Sequence, residues 1–482
     1  MKKLLVILGV LLGIVLLAGI AIVLLVNVNA YKPRIETAVS DALGMEFRIR
    51  GNASLRLLPS PAIALADVRL TNRGTDLADA GTLRIGIRLL PLLHRRIEIT
   101  EFTLDKPVLR IEKGADGKFN FETPPRPAKS PAGEEGPSPA APLVVADSSL
   151  ENGRILYVDR KSGKETLLDG VNLSVRNLSV PTGSKAEPSR GISFTGKLMI
   201  GEVKTKGFTV SDVRASVTAG NGVYEIRPFT MRLFGGKGEG EIRADLSKRA
   251  PTVSVKYKLA DFRAEDAVAA FTRKKTLSGP MTLSPDLSFR GKEAGEMTRT
   301  LDGGLSLRGE GLTLYGMDID EVLSKMKEAR SMNLADVGAF LLTGPLGPAA
   351  IQGYRFGGVY ESAVGGGETR ITRLVSDWTV KNGIAEAKDV AFATRKNRIA
   401  LKGKLDLVDE RFVDVTVAAL DEKGCAKVRQ RISGPFRDPR FDKVSTLQSV
   451  AGSILSLFEK AKKFMGRPEC EPFYTGSVPA PG

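Results

Sequence analysis

Gly240-Glu241-Ile242-Arg243-Ala244-Asp245-Leu246, followed after a polar turn by Val253, Val255, Tyr257 and Leu259, decides how the chain is read. Apolar and polar residues alternate at period two, the signature of a strand with one buried and one solvated face. The theme recurs: Gly403-Lys404-Leu405-Asp406-Leu407 leads to Val413, Val415, Val417 and Leu420. Segments from Gly51, Gly196 and Gly304 follow it more loosely. Duplicated hairpin units extending one sheet are the expectation.

Outward from this stretch, strands dominate. Val39 to Asp67 holds the first strand pattern, with Phe47 to Leu57 alternating strictly. Leu58-Pro59-Ser60-Pro61 turns the chain, and Ile63, Leu65, Val68 and Leu70 form a return strand. Leu83, Ile85, Ile87 and Leu89, then Ile97, Ile99, Phe102, Leu104 and Val108 to Ile111 continue the sheet. Residues 124–142 contain seven prolines among Gly, Ala, Ser, Glu and Lys, with no apolar face to offer, and read as a disordered linker. Helices are few: Ala264 to Arg273, a pair at Asp318 to Ala329 and Leu334 to Leu342, and an amphipathic helix near the C-terminus. That last one carries Leu447, Ala451, Ile454, Phe458, Ala461 and Met465 on one stripe. It fits packing on a sheet end or lying on a membrane surface.

Leu4 to Val26 is an unbroken run of 23 uncharged, mostly apolar residues. At 1.5 Å per residue it spans about 34 Å, enough for a bilayer core. Lys2 and Lys3 before it favour a cytoplasmic N-terminus, which places the rest on the far side. A cleaved signal peptide is the competing reading, since Val28-Asn29-Ala30 resembles a cleavage site, but the run is longer than a signal h-region. The expected organisation is an anchor at 1–30, a β-rich part at 31–123, the linker at 124–142, a larger β domain at 143–440, the helix at 441–465 and a tail at 466–482. Cys425 and Cys470 are the only cysteines. Outside the cytoplasm they can form a disulfide, and two free thiols are the alternative.

The chain carries 71 Lys and Arg against 55 Asp and Glu, a formal charge of +16, which suggests anionic partners. The cations are spread through alternating strands without zinc-finger spacing or aromatic interleaving, so nucleic acid is not expected. Solvated strand faces and attraction to anionic headgroups account for them. The single histidine, His94, sits beside Arg95 and Arg96 and reads as a surface residue. One His and two distant Cys cannot make an ordinary zinc site. Gly365-Gly366-Gly367 and Gly235-Gly236-Lys237-Gly238 lack the Gly-Lys-Ser/Thr of a phosphate loop and suit hairpin turns. No catalytic constellation, cofactor site or metal site is expected.

Five segments in order resemble the AsmA family of Gram-negative envelope proteins. The anchor is followed by Gly51-x-Ala53, Leu57-Leu58-Pro59-Ser60-Pro61 and Ala66-Asp67-Val68-Arg69-Leu70. Leu89-Leu90-Pro91-Leu92-Leu93, Lys106-Pro107 and Asp116-Gly117-Lys118-Phe119-Asn120-Phe121 come next, then Asn152-Gly153-Arg154-Ile155. Leu233-Phe234-Gly235-Gly236 and Ile432-Ser433-Gly434-Pro435-Phe436 complete the set. The resemblance implies a mainly β protein anchored in the inner membrane by one helix. Its periplasmic bulk would be a long curved antiparallel sheet forming a groove with an apolar floor. It also implies a non-enzymatic role in moving phospholipid between membranes or keeping the outer membrane intact, with an outer-membrane or envelope protein as a further partner. An acyl chain of about 16 carbons leaving a bilayer exposes apolar surface worth roughly 12 kcal/mol, which an apolar trough offsets. The candidate lipid-facing residues are Ile242, Ala244, Leu246, Val253, Val255, Leu405, Leu407, Val413, Val415 and Val417. A structural factor for outer-membrane protein assembly that carries no lipid is the alternative.

Overall fold

The computed structural model describes residues 28–56, 61–88, 99–122, 143–180, 188–272, 276–325, 367–442, 445–446 and 470–481. The expected anchor at Leu4 to Val26, the linker at 124–142, the helix at Leu334 to Leu342 and the C-terminal amphipathic helix lie outside them. No helix among the described residues is long and apolar enough to cross a membrane. The protein is mainly β with few short helices, and it divides into two compact units at Arg227/Pro228.

The first unit opens with helix α1 (Lys32–Leu43), where a strand had been expected from Val39. Pro33 presets the first turn, and Gly44 ends the helix at φ 70° with its N–H donating to the Ser40 carbonyl. Ten strands follow: β1 (Glu46–Ile49), β2 (Ala53–Arg56), β3 (Ala62–Asn72), β4 (Thr75–Ile87), β5 (Ile99–Asp105), β6 (Val108–Lys113), β7 (Leu143–Asp159), β8 (Lys164–Val180), β9 (Ser193–Thr205) and β10 (Thr209–Gly220). Most pairings are antiparallel, but β7 pairs parallel with both β5 and β6, so the sheet is mixed rather than antiparallel. Parallel neighbours need a long crossover, and residues 114–142 supply it. The Pro-rich stretch therefore connects strands of one sheet. β11 (Val223–Leu233) spans the division between the units.

The second unit contains β12 (Gly236–Asp245), β13 (Thr252–Arg263), helix α2 (Ala264–Ala269), β14 (Leu277–Ser278), β15 (Pro280–Arg290), helix α3 (Ala294–Arg299), β16 (Asp302–Tyr315) and helix α4 (Ile319–Lys325). It continues with β17 (Glu368–Lys381), β18 (Ile384–Thr394), β19 (Arg398–Asp406), β20 (Arg411–Leu420), β21 (Ala426–Pro435), β22 (Arg440–Phe441) and β23 (Ser445–Thr446). Every described pairing here is antiparallel, and the helix at Ala264–Ala269 is shorter than the periodicity at 264–273 suggested, while residues 326–329 of the expected helix at 318–329 lie outside the described residues. The main core joins Phe262, Leu277, Met281, Leu314, Ile371 and Phe392 to α2 and α4 through Ala267, Val268 and Ile319. Thr369 pins α4: its hydroxyl accepts from the Ile319 N–H (2.8 Å) and donates to the Met317 carbonyl (2.7 Å).

Candidate functional site: an apolar lane across each unit

Pairing register turns the one-dimensional alternation into rows that run across the strands. In the first unit one row reads Ala53, Leu65, Leu83, Leu104, Leu150, Leu173, Leu198 and Ala215, eight apolar side chains from eight strands. One residue along, the opposite face reads Ser54, Ala64, Arg84, Thr103, Ser149, Ser174, Lys197 and Ser216. On that polar face the Ser149 hydroxyl donates to Thr103 at 2.9 Å. The apolar row is a lane because successive strands share one register, so their inward faces align.

Access to this lane changes along it. Ala53, Leu65 and Leu83 are buried with Ile35 and Val39 of α1 packed against their cluster. Side chains of α1 and the turn before it also occupy backbone N–H groups of β1 and β2. Asn29 accepts from Ala53 (2.8 Å), Glu36 from Ile49 (2.7 Å) and Ser40 from Phe47 (2.9 Å). An edge so occupied cannot template another strand. Beyond α1 the lane opens: Leu104, Leu150 and Leu198 are half-buried, and Leu173 is 37% exposed.

The second unit repeats the arrangement. Its row runs Ile242, Val255, Leu287, Gly303, Val380, Ala385, Leu405, Phe412 and Gly434. Its outward row runs Glu241, Lys256, Asp286, Gly304, Thr379, Glu386, Lys404 and Val413. Lys256 faces Asp286 at 3.8 Å and Lys404 faces Glu386 at 4.0 Å on that side. Ile242, Val255 and Leu287 are half-buried, whereas Val380, Ala385 and Phe412 are buried. Leu405 is half-buried as well, so the lane is accessible over β12 to β16 and filled over β17 to β21 except at Leu405.

The sequence-named residues divide accordingly. Ile242, Ala244, Val253, Val255 and Leu405 lie on the lane face, while Leu246 and Leu407 follow the last residues of β12 and β19. Val415 and Val417 face the same way but are fully buried, with no surface to offer a ligand. Val413 is corrected: it lies on the outward, polar row. The reason is a bulge at Asp414 (φ 50°), where Phe412 pairs with Gly434 and Val415 with Ile432, so three steps on β20 match two on β21. One extra residue flips every side chain beyond it to the other face. Leu287, Phe289 and Leu305 complete the accessible lane. Their alternation was readable, but their membership depends on register, which no local pattern carries.

The outer face of β17 to β20 departs from the polar rule. Val375, Ala391, Ala400 and Ala418 form an apolar row there, and the segment 470–481 lies over it through Tyr474 and Val478. Cys425 and Cys470 are joined as a disulfide, with 6.2 Å between their Cα atoms. Asp389 accepts from the Tyr474 hydroxyl and from the Ser477 N–H (2.9 Å), and buried Arg398 donates to the Val478 carbonyl (3.2 Å) while lying over the Tyr474 ring. Burial pushes the Asp389 carboxyl up, but hydrogen bonds from Ser477 and Tyr474 outweigh it and hold it below the ordinary value. Burial, then the bond to Asp389, raises the Tyr474 phenol. No cluster of three or more His, Cys, Asp or Glu suited to a metal occurs among the described residues, and His94 lies outside them.

The resemblance read from the sequence segments is supported by comparison with known families. The AsmA family model matches residues 1–200 and again 192–390. The chain belongs to the AsmA family. No curated protein and no solved structure matches it. The two matched copies of this AsmA chain each include strands of an accessible lane: β5 to β9 in the first, and β12 to β16 in the second.

Proposed function

We propose that this AsmA-family chain is a non-enzymatic envelope protein that takes up the acyl chains of phospholipid along its lanes. It would be held in the inner membrane by Leu4 to Val26 with its bulk in the periplasm, and would carry lipid between membranes in support of outer-membrane integrity. The observation that carries this reading is the half-buried apolar row over β5 to β9 and over β12 to β16, next to polar outward rows on the same strands. Soluble proteins rarely leave a contiguous apolar surface in water without a ligand or partner for it. Burying about ten methylenes there offsets roughly 8 kcal/mol of the cost of exposing them to water on leaving a bilayer. The filled core over β17 to β21 favours a second reading for that part alone, a structural platform for an envelope partner.

Mass spectrometry of lipid retained by residues 28–482 exported to the periplasm tests the proposal. Phospholipid near one or two molecules per chain is the expected result. A folded, lipid-free protein would move the assignment to a structural assembly factor.

A further inference from the structure

The accessible lane of the second unit ends at one set of turns, and those turns are basic. Residues 246–251 join β12 to β13, residues 291–301 join β15 to β16 through α3, and Asn382 and Gly383 join β17 to β18. Backbone bonds lock them side by side: the Gly291 N–H donates to the Pro251 carbonyl (3.0 Å) and the Gly383 N–H to the Leu301 carbonyl (2.9 Å). Arg249, Lys292 and Arg299 project from these turns, all exposed, and none has an ion-pair partner among the described residues, whereas Arg290 and Lys381, one residue past Phe289 and Val380 of the lane, belong to the outward row. The carboxylates beside them are engaged in other ways. Asp245 lies 4.0 Å from Lys248, Glu296 accepts from the Lys292 N–H (2.9 Å), and Asp302 accepts from the Asn382 N–H (2.8 Å). Glu293 is the remaining acid on these three turns, and the neighbouring 407–410 turn, whose Leu407 N–H donates to the Gly383 carbonyl (2.9 Å), adds Asp409 and Glu410 beside Asp406. At the opposite strand ends the contrast is plain: Arg263 is paired with Asp266 there, and the lane face is closed by α2 and α4.

Just inside the basic rim sit Val253 and Phe289, paired across β13 and β15, with Ala244 beside Val253 and all three half-buried. An apolar strip that terminates in unpaired cations has the polarity of an amphiphile with an anionic head. We propose that this rim is a headgroup site for anionic phospholipid, with the phosphate held among Arg249, Lys292 and Arg299 and the acyl chains laid on β12 to β16. The inference rests on the acyl-chain reading of the lane given above and adds selectivity to it. A zwitterionic lipid offers the same phosphate but brings its own cation into the rim, so a net-negative lipid is favoured. Several exposed cations acting together give a salt-sensitive preference, each contributing modestly.

The test uses the full chain in detergent micelles with equimolar phosphatidylglycerol and phosphatidylcholine, each bearing a photoactivatable group in the acyl chain. After irradiation, labelled peptides from β13 and β15 are quantified by mass spectrometry. Phosphatidylglycerol is expected to label them at least about tenfold more than phosphatidylcholine at low salt, with the ratio falling at high salt. The combined variant R249Q/K292Q/R299Q is expected to bring the ratio near one while both lipids still label. The milder pair R249Q/K292Q, for which an intermediate ratio is expected, guards against a folding defect in the full set. Neutralising Lys118, Lys161, Lys164 and Lys206, far along the chain, is expected to leave the ratio unchanged. Equal labelling of the unaltered chain by both lipids overturns the headgroup site and leaves the acyl lane standing. A preference that survives the three substitutions overturns its assignment to this rim. Labelling by neither lipid removes the lane reading and this inference with it.

Discussion

Four aspartates take a left-handed backbone conformation inside strands. Asp67, Asp212, Asp261 and Asp414 each lie within a strand at φ near 50°. Each faces a glycine across the pairing: Gly81 beside Asp67, Gly201 beside Asp212, Gly236 beside Asp261 and Gly403 beside Asp414. At Asp261 and Asp414 the register slips by one residue, a bulge that increases local twist, whereas Asp67 and Asp212 keep register with β4 and β9; aspartate tolerates the left-handed region better than a β-branched residue does. Gly236 and Gly403 are needed for space as well. A Cβ on Gly403 would lie 2.5 Å from the Val415 Cα, and Gly403 itself has φ 130°. Gly403→Ala is therefore expected to destabilise the second unit by about 2–4 kcal/mol, whereas Asp414→Gly changes stability by less than about 1 kcal/mol. Urea unfolding of the two variants checks this. The same residues mark where sequence reading stops. The Gly-led repeats were visible from Gly240 and Gly403, and so was the alternation. The bulge at Asp414 was not visible, because Val413-Asp414-Val415-Thr416-Val417 alternates as cleanly as any unbroken strand. Only the unequal pairing of β20 with β19 and β21 puts Val413 on the other face.

At the scale of elements, segments without regular structure or with a single helix decide which parts of the sheet are closed. Helix α1 covers the start of the first lane, α2 and α4 close one end of the second, and residues 470–481 cover the apolar outer row of β17 to β20. That last segment has no periodicity to announce it, yet its anchors Tyr474 and Val478 are buried. The disulfide closes a loop of 45 residues, worth about 4 kcal/mol in the loop-entropy picture. Its attachment also depends on charge at Asp389. Because that carboxyl titrates below its ordinary value of 3.8 when the segment is seated, the released form binds a proton more readily. The contribution is fully present above about pH 4 and is lost as the pH falls through the lowered value. Pepsin cleavage within 470–481 is expected to rise steeply as the pH falls from 4 toward 2. In Asp389→Asn the segment should be cleaved at every pH in that range, without the step.

At the scale of the whole molecule, the family and the β-rich class were legible in the sequence, since both depend on local alternation and short motifs. The parallel pairing of β7 with β5 and β6 was not, because a crossover of residues 114–142 leaves no local trace of which strand it returns to. Nor was the division of each lane into open and filled parts. Leu405 and Val255 look alike in sequence, but Val255 faces the accessible part of the second lane, and Leu405 pairs with buried Phe412. A protein that conducts lipid over such lanes should touch it on one face only. The most direct measurement is site-specific photo-crosslinking in living cells, with a photoreactive residue at Leu173, Val255 or Leu287 on the lanes, and at Lys197, Lys256 or Asp286 on the outward rows. Phospholipid adducts at the three lane positions, with little or none at the three outward positions, is the predicted result. Equal adducts on both faces, or none on the lanes of a folded and correctly exported protein, would contradict the account.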